Sequence, residues 1–296
     1  MAKIVFACVG REQRQKICRL RCRAQETVDE AGMQVHDLQK NLGGRKVEWM
    51  RRFWNLAGRM FGPLLLYEMT IWLVLEGWSL ISEADPAAGA ILPLTALAAG
   101  LTAVEIRLWY RKTERKNGRG RKSVFWILLA GFGTCLCLNH VLMLLPIPKA
   151  GYQSTSELLY QPALWMQVVC TGIVIPFTEE LIFRGMAYES LRRELPFAGA
   201  AVISAVYFGL FHGNLIQGIY AGLVGIFLAG VYEQGGLRDA WLFHATANLT
   251  AIFLTAAGLD QRILSDFGIA ATATAGGILA AAAFYQMGRR NRENQK

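Results

Sequence analysis

Charge is scarce in this sequence. Asp, Glu, Lys and Arg make up 18% of its 296 residues, and histidine occurs only four times. An average soluble domain is about one quarter charged, so a water-facing globule of ordinary composition is excluded. The six cysteines, Cys8, Cys18, Cys22, Cys135, Cys137 and Cys170, show no framework spacing, which argues against a disulfide-stapled fold. Cys18 and Cys22 with His36 give one Cys-x-x-x-Cys pair without a second, too little for a structural zinc site, and all six are expected as free thiols. The opening "MAKIVFACVG" is too short to span a membrane and is followed by no small-residue cleavage pattern, so no removed leader is expected.

What the chain does have is apolar length. Hydrophobic residues make up 53% and the mean hydropathy is +0.28. A crossing of roughly 30 Å of hydrocarbon needs about 20 mostly apolar residues. Eight runs meet that need: 61–81, 87–106, 123–145, 163–183, 197–214, 216–232, 239–257 and 265–287. The expected fold class is therefore all-α, a polytopic integral membrane protein with eight transmembrane helices.

The net charge of +9 reports topology. Thirteen Lys and Arg fall in residues 1–60, eight in Arg107–Lys122 and four in the tail "RRNRENQK". Arg192, Arg193 and Arg238 occupy further links on the same side, whereas the alternate links hold only Lys149 and Arg262. Basic residues concentrate in cytoplasmic loops, so both termini are expected in the cytoplasm. No basic face on a soluble fold remains for nucleic acid. The lipid bilayer is the expected environment, with a multi-pass location in the cell membrane.

Residues 1–60 form a basic N-terminal segment in which Trp49, Phe53 and Trp54 alternate with Arg51, Arg52 and Arg59. Either an interfacial helix or a flexible basic tail suits that pattern. Residues 61–287 form the membrane domain, with its polar core in 163–257, and 288–296 form a basic tail. Small residues at 198–205, Gly218, Gly222 and 271–277 permit close helix approach, where lipid supplies no hydrophobic drive between helices.

One run contains "FTEELIFRG", Phe177 to Gly185. Each charge at a helix centre costs about 2.5–3.5 kcal/mol on insertion scales, so these side chains must face the protein interior. Glu180 and Arg184 are one helical turn apart and can neutralise each other. Glu179 points about 100° away and is left without a local partner. Two of the four histidines lie in later runs: His212 in "FGLFH", one turn after Phe208, and His244 in "HATAN", one turn before Asn248. A carboxylate out of bulk water can act as a general base near neutral pH, and imidazole and carboxamide donors suit a developing oxyanion.

"EELIFR", "FGLFH" and "HATAN" resemble, in order, the EExxxR, FxxxH and HxxxN motifs of the CPBP family. The family is also called Abi, or CAAX protease and bacteriocin-processing, and includes the type II CAAX prenyl endopeptidases. The resemblance spans residues 179–248. It implies an eight-span intramembrane endopeptidase acting on membrane-associated proteins or peptides. By that resemblance Glu179 acts with His212 on a water, His244 and Asn248 steady the oxyanion, and Glu180, Arg184 and Phe208 support the site, with no cofactor. The alternative is zinc held by Glu179, His212 and His244, a His2Glu set with one open position, although no HExxH is present. Two non-proteolytic readings stand beside these: a membrane immunity or scaffold protein, and a transporter using Glu68, Glu76 and Glu179, against which the lack of visible inverted repeats counts. His140 is expected as a structural interhelix contact.

One expectation conflicts with the rest. At roughly 1.5 Å per residue, Glu179 and His212 should lie about 20 and 24 Å from the basic ends of their helices, but His244 only about 9 Å from Arg238. Either the link before His244 dips inward, or the helices tilt.

Overall fold

The computed structural model describes residues 11–83, 86–109, 123–143, 146, 151–259 and 266–293. Every regular element among them is helical: α1 (Arg11–Ser82), α2 (Ala88–Trp109), α3 (Val124–Met143), α4 (Tyr152–Tyr160), α5 (Leu164–Glu194), α6 (Phe197–Phe211), α7 (Leu215–Gly235), α8 (Leu237–Ala256) and α9 (Asp266–Glu293). Each of the eight apolar runs falls on one of them. By length and composition six are able to cross a membrane: Lys46–Ser82 of α1, α2, α3, α5, α7 and Gly268–Arg289 of α9. α6 is shorter, and α8 is diluted by Arg238, Asp239, His244 and Asn248. The short polar helix α4 was not expected.

The chain divides into two compact units, Met1–Asn55 and Leu56–Lys296. In the first, Trp49 stacks on Phe53 at 5.6 Å and Arg52 pairs with Glu48 at 2.7 Å. Trp49, Phe53 and Trp54 are exposed. Cys8, Cys18, Cys22 and His36 lie outside the described side chains, as does the basic tail beyond Arg289.

In the second unit α5 is the axis: 56% of its most apolar window is buried, against 11% for the peripheral α1. Exposed apolar side chains such as Leu65, Trp72, Val202, Leu210 and Ile278 face outward, as lipid-facing surface does. Tyr207 of α6 donates to the Met60 carbonyl of α1, and Thr178 of α5 donates to the Ala99 carbonyl of α2. Cys135, Cys137 and Cys170 are free thiols.

The small-residue stripes sit at backbone crossings. A Cβ on Gly133 of α3 would lie 2.6 Å from the Gly276 carbonyl of α9, and one on Gly276 would lie 2.7 Å from the Gly133 carbonyl. Neither can be accommodated without separating the helices. We therefore expect Gly133→Leu to cost at least the about 1–3 kcal/mol typical of overpacking, read as a lower thermal midpoint in detergent, while Gly100→Leu in α2, where an added Cβ meets nothing within 4 Å, leaves it unchanged.

α7 and α8 are joined through Gly236 alone, at φ 82 and ψ −167, a conformation open essentially to glycine. Gly236 is buried, and so are Asp239 and Ala240 in the first turn of α8. The link thus lies inside the bundle with its backbone satisfied: the Gly236 N–H donates to the Tyr232 carbonyl, and the Ala240 N–H to that of Gly236. Burial of the link is what an inward dip requires.

Candidate active site

α5 is not a regular α-helix. Cys170–Val174 and Leu181–Tyr188 are π-helical, and the α-helical turn between them, Ile175–Glu180, ends on the two glutamates. Such π-helical segments widen a helix locally and recur at functional sites. The first has a cause in the sequence. The Ile175 N–H reaches five residues back to the Cys170 carbonyl. Pro176, next in line to reach Thr171, has no N–H to give.

Glu180 is fully buried and holds the site together. Its Oε1 accepts from Arg184 Nη1 at 3.1 Å and from His244 Nδ1 at 2.8 Å. The expected i, i+4 pair is present, and α8 adds a third member. Arg184, also fully buried, lies 4.3 Å above the Phe208 ring and donates to the Gly225 carbonyl at 3.4 Å. Because Glu180 accepts at Nδ1, that nitrogen carries the proton of the His244 ring. Nε2 then faces Glu179 Oε2 at 3.7 Å. That separation is longer than a hydrogen bond, and a bridging water suits it.

Phe208 explains the aromatic position in "FGLFH". Its ring meets Arg184 on a face and the rings of His212 and His244 edge-on, at 4.8 and 5.7 Å between centroids. One side chain of α6 thus touches all three motifs. His212, the C-cap of α6, turns Nδ1 to the Phe208 carbonyl at 2.9 Å, leaving Nε2 open.

Asn248, expected beside an oxyanion, donates Nδ2–H to the Thr171 carbonyl at 2.9 Å. Trp241 was not singled out from the sequence, yet its Nε1–H donates to the Ile173 carbonyl at 3.0 Å and its ring packs against Phe177. Its spacing was the available signal, since residues 241, 244 and 248 share one face of a helix. Glu68 and Glu76 are exposed on α1 and lie outside the buried cluster. His140 is buried as a structural histidine, but its Nδ1 pairs with Leu136 of its own helix at 2.7 Å, not with a neighbouring helix.

A zinc site would need three donors converging on one point. Among the described residues no three His, Cys, Asp or Glu side chains are grouped in this way.

A match to a known protein family falls on the same segment. Residues 161–250 match the model for Rce1-like type II CAAX prenyl endopeptidases. The UPF0177 protein YxdF of Lactococcus lactis subsp. lactis (strain IL1403) is 27% identical over 151 residues, covering 48% of this chain and 82% of that protein. No solved structure matches. The matched segment runs from the start of α5 to the middle of α8 and contains every residue of the buried cluster, so it is in its site-bearing segment that this all-helical membrane chain is similar to the Rce1-like type II CAAX prenyl endopeptidases.

Proposed function

We propose that this protein is an intramembrane endopeptidase of the cell membrane that hydrolyses peptide bonds of membrane-associated proteins or peptides with a water activated by Glu179. The observation that carries the reading is the buried Glu180–His244 hydrogen bond, which aims His244 Nε2 at Glu179 inside a membrane helix bundle. Glu180 and Arg184 neutralise one another. One further proton shared between Glu179 and His244 leaves the whole cluster uncharged, as burial demands.

With that proton on His244, Glu179 is a free carboxylate beside a water. Glu179 takes one water proton, and the oxygen forms a C–O bond to the peptide carbonyl. Negative charge grows on the carbonyl oxygen, where the His244 Nε2–H steadies it. His212 Nε2 accepts from the water and orients it. Glu179 then returns its proton to the amide nitrogen as the C–N bond breaks, giving a carboxylic acid and an amine.

The test is a comparison of peptides released from membranes carrying the wild-type chain and the His212→Ala variant at matched expression. Peptides lost in the variant support the protease. Identical profiles overturn it and favour an immunity or scaffold role. In the same assay, purified protein dialysed exhaustively against a chelator is expected to keep full activity, and loss restored by zinc alone would overturn the metal-free mechanism.

A further inference from the structure

The polar face of α8 does more than carry His244. Trp241, His244 and Asn248 form one stripe, and all three donate to α5: Trp241 to the Ile173 carbonyl, His244 to Glu180 and Asn248 to the Thr171 carbonyl. The two outer acceptors belong to the π-helical turn Cys170–Val174. In the register set by the Ile175 bond to Cys170, the donor for Thr171 would come from residue 176, which is proline. A carbonyl left without a donor inside a membrane helix bundle is strongly unfavourable. Asn248 supplies the missing N–H from the neighbouring helix.

We infer that Trp241 and Asn248 are positioning residues, a two-point clamp on the Pro176-interrupted π-turn in which Asn248 supplies the donor that Thr171 lacks and Trp241 adds a hydrogen bond at Ile173, and which so fixes His244 against Glu179 and Glu180. The inference rests on the endopeptidase reading above but assigns Asn248 a role in building the site, in place of contact with the oxyanion. Trp241 lies in none of the three motifs. Its ring is braced by Phe177, T-shaped at 5.8 Å, two residues before Glu179. The clamp therefore grips α5 on the N-terminal side of Glu179, while the His244 bond to Glu180 holds it on the other. A displacement of about 1 Å at a reacting centre costs on the order of a hundredfold in rate, so a small slip of α8 along α5 is enough to abolish turnover.

Replacing Pro176 provides the test. On the wild-type background Asn248→Ala is expected to lower kcat about a hundredfold with KM unchanged. On a Pro176→Ala background, where residue 176 has its own N–H, the same substitution should cost less than about tenfold. An equal loss on both backgrounds would mean that Asn248 acts on substrate directly and would overturn the clamp. Should Pro176→Ala itself fold poorly, Trp241→Phe keeps the ring and deletes only the N–H. A tenfold or greater fall in kcat with an unchanged melting temperature is expected there, and wild-type kcat would overturn the proposal. A readout independent of activity separates this inference from the protease reading. With four histidines in the chain, 15N-histidine labelling resolves His244, whose hydrogen-bonded Nδ1–H signal should persist in Glu179→Ala and be lost in Asn248→Ala. Persistence in both overturns the clamp, whereas loss in Asn248→Ala from a protein that releases no peptide leaves the clamp standing and overturns only the endopeptidase reading.

Discussion

Glu179→Gln should reduce peptide hydrolysis by at least about 10²–10⁴-fold, the range over which a positioned general acid–base contributes, without unfolding the protein. Both halves of that expectation come from how the two adjacent glutamates divide their work. Glu179 is the less enclosed, with 10% of its side chain exposed, and its Oε2 lies 3.7 Å from His244 Nε2, beyond hydrogen-bond range. A carboxamide fills the same space and can still hold a bridging water, so packing survives. Its nitrogen cannot take a proton from water, so chemistry does not. Glu179→Asp, which keeps the carboxylate but withdraws it by one methylene, should fall between. The measurement is kcat/KM on a peptide identified from the membrane comparison, with the thermal midpoint in detergent as control. Activity of Glu179→Gln within tenfold of wild type would move the base to His244, whose imidazole Glu180 orients.

Glu180→Ala should act in the opposite sense, mainly on the fold. Its Oε1 is the shared acceptor for Arg184 and His244, and both it and Arg184 are completely buried. Removing one partner of such a pair costs about 3–5 kcal/mol, because the other charge stays buried without compensation. The variant is expected to lose most of its folded population on mild heating. Removing both charges differs: a well-packed apolar pair in place of a buried ion pair is often neutral or stabilising. Glu180→Leu combined with Arg184→Met should therefore recover most of the stability lost in Glu180→Ala. It should remain inactive, since the His244 Nδ1–H then loses the acceptor that orients the ring. Recovery of activity in the double variant would show that Glu180 only neutralises Arg184. A Glu180→Ala protein as stable as wild type would remove the cluster as an organising element.

The helical segments were legible from apolar length alone, because a bilayer demands about 20 such residues at a time. The Glu180–Arg184 pair and the shared faces of Phe208 with His212, and of His244 with Asn248, were legible because a spacing of four is fixed by helix geometry. Partners far apart in sequence were not. That Glu180 orients His244 joins residues 64 apart, and helical periodicity does not extend across loops. The grip of Trp241 and Asn248 on α5 depends on the π-helical turn at Cys170–Val174, where regular 3.6-residue spacing breaks down. Pro176 marked that place in the sequence, but its absent N–H has meaning only once the orphaned carbonyl is seen beside α8. The burial of the turn before α8 was not legible either, because the charged Arg238 beside Gly236 is exposed.

That buried turn has an evolutionary corollary. Connections between helices are normally where a protein family gains and loses residues with least harm. Here a single glycine sets the phase of α8, and each residue of α-helix carries 100° of rotation. One inserted amino acid at Gly236 would turn Trp241, His244 and Asn248 away from α5 together. Related sequences that share this chemistry should accordingly vary freely in the length of other connections while keeping the distance from Tyr232 to His244 constant.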